Sequence, residues 1–155
     1  MTDQDSIDRK FIGVAKWFAR YSPDPSTKVG AAIVRRDGTL AATGYNRFPP
    51  GFDQSPYLYA DRAFKYRHII HAEIMALDTL HEAGETPEGF AVYTSFPCCP
   101  DCLERLGEAG IKRAVSPEIN PLGRTLYWVE EWKARLEVSA RVAERYGIEL
   151  EVIDV

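Results

Sequence analysis

Apolar residues recur at helical spacing at Ile7, Phe11, Val14, Ala15 and Phe18. This predicts an amphipathic helix capped by Ser6 or Asp5, ending near Tyr21 because Pro23 and Pro25 cannot continue it. The pattern then changes to two β-rich runs, 29–35 and 39–45. Arg36-Asp37-Gly38 between them reads as a hairpin turn, since Asp and Gly tolerate positive φ. Residues 46–67 are rich in Pro and Tyr and show no regular period. A connection of that length favours a functional loop over a simple link. Helical spacing returns at 71–83 through Ile74, Leu77 and Leu80, with Gly84 as the stop. A strand at 90–95, a helix at 99–109 closed by Gly110, and a strand at 111–115 follow. The last two elements are a helix over 129–146 closed by Gly147 and a strand over 148–153.

The order is α-β-β-α-β-α-β-α-β. A hairpin followed by strand–helix–strand crossovers predicts one mixed sheet of five strands with helices on both faces, a three-layer α/β architecture. Strands three, four and five should be parallel, because a helix joins each to the next. No repeat or linker divides residues 1–155, which read as a single domain.

Composition narrows the class. Of 155 residues, 45% are apolar and 27% charged, which excludes a disordered or collagen-like chain. No apolar run approaches the roughly 20 residues that span a bilayer, so no membrane association is expected. The opening MTDQDSIDRK lacks the basic-then-apolar layout of a signal peptide, and the expected location is the cytoplasm. A net charge of -4 and a pI near 5.4 argue against a nucleic-acid partner and leave room for a small anionic substrate.

All three cysteines cluster at Cys98, Cys99 and Cys102, a poor disulfide framework that points to metal ligation or redox chemistry. Two segments carry the candidate chemistry: His71-Ala72-Glu73 at one predicted helix start and Pro97-Cys98-Cys99-Pro100-Asp101-Cys102 at another. Cys99 and Cys102 can grip one ion from a single turn, and His71 adds a third ligand. Three protein ligands with an open fourth position form the pattern of catalytic zinc, whereas structural zinc is normally closed by four. Helix N-termini also favour thiolates. Glu73 is then placed to accept and return the proton of a metal-activated water. A non-ligating Glu in H-x-E, followed by C-x-x-C, is the signature of zinc deaminases, which remove ammonia from an aminated base. Taken singly, C-x-x-C also fits a redox pair, His a polar cap, and Glu a helix-dipole partner. Their joint occurrence in this order favours the deaminase zinc site, with Cys98 a neighbour of it.

The chain resembles the cytidine and deoxycytidylate deaminase superfamily. Asp24-Pro25-Ser26-Thr27-Lys28-Val29-Gly30-Ala31, Thr43-Gly44-Tyr45-Asn46, Lys65-Tyr66 and Ile70-His71-Ala72-Glu73 carry the likeness. It continues from Glu88-Gly89 through the cysteines to Ala109-Gly110-Ile111-Lys112. The resemblance implies a five-stranded mixed sheet, zinc on His71, Cys99 and Cys102, and Glu73 as the proton shuttle. It also implies substrate contacts from Asn46, the backbone N–H of Ala72, and Ser95, and assembly as a homo-oligomer.

Several residues depart from the deoxycytidylate deaminase pattern. Cys98 replaces the Pro before the first zinc cysteine, Met75 an Asn, and Arg47 a Gly. Phe52 stands near the place where many relatives have a cysteine for a second zinc, and no other cysteine is available, so one zinc ion per chain is expected. The segment HAEIMAL at 71–77 is similar to tRNA adenosine deaminases. The long loop and acidic pI favour a small nucleotide, with Lys28, Arg47 and Arg124 as candidate phosphate-binding cations. The expected reaction is dCMP to dUMP. Another base (free nucleobase, nucleoside, modified pyrimidine or tRNA adenosine) and a non-catalytic zinc-binding member are the alternatives.

Overall fold

In the computed structural model, which describes residues 2–155, helix α1 spans Asp3–Ala19 and precedes a hairpin of β1, Gly30–Val34, and β2, Leu40–Tyr45. Two short helices follow, α2, Pro56–Ala60, and α3, Arg62–His68. The remainder alternates: α4, Ala72–Glu82; β3, Ala91–Thr94; α5, Pro100–Ala109; β4, Arg113–Pro117; α6, Leu126–Tyr146; β5, Glu149–Ile153.

The five strands form one sheet in the order β2-β1-β3-β4-β5. β1 is antiparallel to β2 and β3, with Gly30 opposite Tyr45 and Ala31 opposite Thr94. The β3–β4 and β4–β5 pairs are parallel, as the helical crossovers require. This is the mixed α/β architecture expected from the element order.

β1 is buried on both faces, and its side chains alternate between two cores. Ala31 and Ile33 join Ala76, Leu77 and Leu80 of α4 and Leu103 and Leu106 of α5. Ala32 and Val34 point the other way, to Phe11 and Ile12 of α1, with Tyr93 and Val115. α1 therefore covers one side of the sheet and α4 and α5 the other. Two glycines let helices approach closely. A Cβ at Gly30 would lie 1.8 Å from the Ala15 carbonyl oxygen, and one at Gly44 would lie 2.3 Å from that of Ala72.

Several boundaries differ from the sequence expectation. The cap of α1 is Thr2, not Ser6 or Asp5. Thr2 Oγ1 accepts from the Asp5 N–H at 3.1 Å, and Asp5 Oδ2 accepts from the Thr2 N–H at 2.9 Å, a reciprocal capping box. β4 begins at Arg113 because Ile111 belongs to the turn that ends α5. Its N–H bonds the Leu106 carbonyl, after Gly110 has turned left-handed at φ 105°. α6 begins at Leu126, capped by Thr125.

The connection 46–67 holds α2 and part of α3, and it has a small core of its own. Phe48 is fully buried, stacked on Tyr59 at 4.2 Å and edge-on to Phe64 at 5.4 Å. The Tyr59 hydroxyl accepts from the Phe48 N–H. Short helices packed through aromatic residues leave no extended period to read in the sequence.

Candidate metal centre and active site

His71 and Cys99 are the N-cap residues of α4 and α5, both with extended backbone (φ -71°, ψ 154° and φ -73°, ψ 161°). Thr2, Asp61 and Thr125 use their side chains to cap α1, α3 and α6. His71 and Cys99 do not, so an imidazole and a thiol at cap positions remain available for other work. Pro100 suits the first position of α5, where the missing N–H would have no helical partner. Cys102 follows in that same first turn.

The side chains converge. His71 Nδ1 lies 3.6 Å from Cys99 Sγ and 3.2 Å from Cys102 Sγ, and the three ligand atoms lie within 4.8 Å of one another. A nitrogen and a sulfur sharing a tetrahedral zinc ion, bonded at about 2.0 and 2.3 Å, sit about 3.5 Å apart. The donor set and its spacing therefore fit such an ion. Both cysteines are buried, while His71 keeps an exposed edge.

The electrostatics fit as well. Hydrogen bonds from Cys102 and His71 outweigh burial and pull the Cys99 thiol down to about 4, while Cys102, sharing that proton, moves up. One thiolate therefore forms readily, and a second at this spot calls for a cation. Glu73, in the first turn of α4, is buried, and desolvation raises its pKa. A carboxylate with increased proton affinity suits general acid–base work near neutral pH. Cys98 lies outside the three-atom cluster, and burial pushes its thiol well up.

The expected substrate residues sit around this end of the sheet. Asn46 is buried and tied to the backbone before β1: Oδ1 accepts from Val29 N–H at 2.8 Å, and Nδ2 donates to the Thr27 carbonyl at 2.8 Å. One N–H and one lone pair of its amide remain for another partner. Ser95 Oγ accepts from Gly30 N–H at 2.9 Å and keeps its own proton to donate. Ala72 is fully buried in the first turn of α4, between His71 and Glu73.

Other contacts were not legible in advance. Ser139 of α6 donates to the Cys98 carbonyl at 3.0 Å, fixing the metal loop to the last helix. Phe96, just before that loop, packs edge-on to Trp132 at 4.7 Å. Met75 turns its sulfur to the Tyr45 N–H at 3.3 Å. Gly44 alone carried a signal, as an isolated glycine inside a strand pattern marks close backbone approach.

Residues 5–117 match the model of the cytidine and deoxycytidylate deaminase zinc-binding region. The chain belongs to this deaminase family. An uncharacterized deaminase from the luxG 3' region of Aliivibrio fischeri is 29% identical over 143 residues, covering 92% of this chain and 90% of that protein. The deoxycytidylate deaminase of Pongo abelii is 31% identical over 110 residues, covering 68% of this chain but only 61% of its own length. The solved dCMP deaminase of cyanophage S-TIM5 shares the fold, with a TM-score of 0.69 at 24% identity, over 99% of this chain and 100% of that one. Family membership makes this a hydrolytic deaminase with a zinc-binding region, and His71, Cys99 and Cys102 are the group that fits a metal. Among the described residues no helix is long and apolar enough to cross a membrane.

Proposed function

We propose that residues 1–155 form one zinc-dependent deaminase domain acting on a cytosine nucleotide, converting dCMP and water to dUMP and ammonia. The observation that carries this reading is the His71–Cys99–Cys102 cluster with the buried carboxylate of Glu73 two residues from its imidazole. The choice of a cytosine nucleotide is supported by the deoxycytidylate deaminases among the relatives.

When bound, zinc would supply the Lewis acidity that makes water a nucleophile near neutral pH. His71, Cys99 and Cys102 would hold it. Glu73 takes one proton from the attacking water and delivers it to ring N3; it then takes the second, from the new C4 hydroxyl, and passes it to the amino group, which departs as ammonia. A C4–O bond forms and the C4–N bond breaks, with no change of oxidation state. Ala72 N–H faces the ring carbonyl, and Ser95 and the free half of the Asn46 amide line the pocket. The reading includes a cytoplasmic homo-oligomer acting on a small molecule and not on nucleic acid, supported by the acidic composition and by the family.

Deamination of another base is the second reading. It is favoured by Met75, whose sulfur occupies the α4–β2 junction where the deoxycytidylate deaminase pattern has an amide. Ammonia release from zinc-loaded protein separates the two readings, using dCMP, CMP, deoxycytidine, cytidine, cytosine and an adenine set. Selective turnover of dCMP is the expected result. Turnover only of an unphosphorylated or purine substrate overturns the nucleotide assignment. Silence across the panel with one zinc per chain overturns the substrate class.

A further inference from the structure

The three cations singled out by the sequence have different surroundings. Lys28 donates to the Ser22 carbonyl, and Arg124 lies on the Trp128 ring at 4.5 Å. Arg47 differs in having a buried donor, its Nε, without a hydrogen-bond partner, and its guanidinium is 5.8 Å from the Tyr45 ring. Among the described residues no carboxylate forms an ion pair with it. The nearby acids are committed elsewhere: Asp24 pairs with Lys65 and bonds Ser26, and Asp53 accepts from the Ser55 N–H.

Arg47 lines an open cleft of about 340 Å³ with Tyr21, Tyr45, Phe52 and Gln54. Its backbone is fixed to the metal site. The Arg47 N–H bonds the Ile70 carbonyl at 3.1 Å, and the Ile70 N–H bonds the Arg47 carbonyl at 2.8 Å. Ile70 immediately precedes His71 and packs against the cluster of Ile74, Cys99 and Cys102. A hydrogen-bonded antiparallel pair holds its Cα atoms about 5.5 Å apart, and one peptide adds about 3.8 Å. The Cα of Arg47 is therefore within about 9 Å of the Cα of His71. That span is comparable to a nucleoside monophosphate from base to phosphate.

A partly buried guanidinium without a counter-charge is suited to an anion, and its planar fork matches phosphate oxygens in a bidentate manner. We propose that Arg47 binds the phosphate of a nucleoside monophosphate whose base sits at the His71 cluster. Arg47 thereby sets the preference for nucleotide over nucleoside. This rests on the cytosine-nucleotide reading above and names the residue that would enforce it.

The test is equilibrium titration of zinc-loaded protein with dUMP and with deoxyuridine, for the wild type, Arg47→Gln and Arg47→Lys. A charge-assisted pair of this kind corresponds to a preference for dUMP of about 10- to 100-fold in the wild type. Arg47→Gln should reduce it to within about threefold, and Arg47→Lys, which keeps the charge but not the fork, should fall between. Arg47→Lys also serves if Arg47→Gln does not fold. Wild-type preference in both variants overturns the proposal, as does a wild type that binds the two ligands equally. Arg47-dependent binding of dUMP without ammonia release from dCMP leaves this inference standing and removes the deaminase substrate reading. Release from dCMP with a nucleotide preference indifferent to Arg47 does the opposite.

Discussion

Two of the buried polar clusters in this protein differ in whether they are complete. Beneath α1, the Asp8 carboxylate receives Arg113 in a bidentate grip at 2.7 and 2.8 Å, the Tyr93 hydroxyl at 2.8 Å and Gln4 at 2.9 Å. One negative and one positive charge cancel, and the carboxylate is fully hydrogen-bonded. At the starts of α4 and α5, a carboxylate and two thiols crowd around one imidazole. The first cluster is closed by the chain itself and ties α1 to β3 and β4. The second lacks such a balancing charge, and the cation that would supply it is the metal its three ligand atoms could hold.

The largest expected effect comes from the open cluster. Glu73→Gln keeps the shape and removes the proton shuttle, so turnover should fall by about a thousandfold or more while metal stoichiometry stays at the wild-type value. Ammonia release and metal analysis on the same preparation check this. A Gln variant with near wild-type turnover would break the assignment of Glu73.

Asp8→Asn sharpens the other half of the contrast. It leaves the partly buried Arg113 charge with only the exposed Glu149 carboxylate, at 3.5 Å, and should destabilise the fold by about 2–4 kcal/mol, read by urea unfolding. Metal content should not change. Burial raises the Asp8 pKa, but hydrogen bonds from Arg113, Tyr93 and Gln4 outweigh it and hold the carboxyl below its ordinary value. A folded-state pKa below the unfolded one means that the contribution is present above about pH 4. It is lost as pH falls further, through the folded-state value. The stability of Asp8→Asn should consequently depend less on pH in that acidic range; parallel wild-type and variant curves would remove Asp8 as the source.

Two glycine substitutions give smaller effects of opposite sign. A Cβ at Gly44 would meet the Ala72 carbonyl at 2.3 Å and the Ala76 nitrogen at 2.6 Å. Gly44→Ala should therefore push away the turn that bears His71 and Glu73, lowering stability by about 1–3 kcal/mol and weakening metal binding. Gly13, inside α1, has nothing within 4 Å of its Cβ position. Gly13→Ala should raise stability by about 0.5–1 kcal/mol through helix propensity and leave metal binding alone. Equal metal affinity in the two variants would show that the Gly44 approach does not position the site.

Most of the architecture was legible because its signals are short-range. The apolar spacing of α1, the Asp37-Gly38 turn and the glycine stops at Gly84, Gly110 and Gly147 each act over a few residues. The metal cluster was legible for the same reason, since Cys99 and Cys102 lie in one helical turn and Glu73 is two residues from His71. The short helices of 46–67 were not: α2 and α3 depend on Phe48, Tyr59 and Phe64 meeting one another, and their sequence has no helical period of its own.

What remained to the tertiary structure is the choice of partners across the chain. Asp8 is 105 residues from Arg113 and 85 from Tyr93, and Cys98 is 41 from Ser139. The sequence names Asn46 as a candidate for substrate, but only the fold assigns half of its amide to Thr27 and Val29. Likewise it names three candidate cations, and only the fold leaves the buried Nε of Arg47 without a partner. Spacing along the chain determines which residues share a turn or a face. Which distant group satisfies a buried donor or charge is decided by packing, because hydrogen bonds and ion pairs depend on distances that separation in sequence does not set.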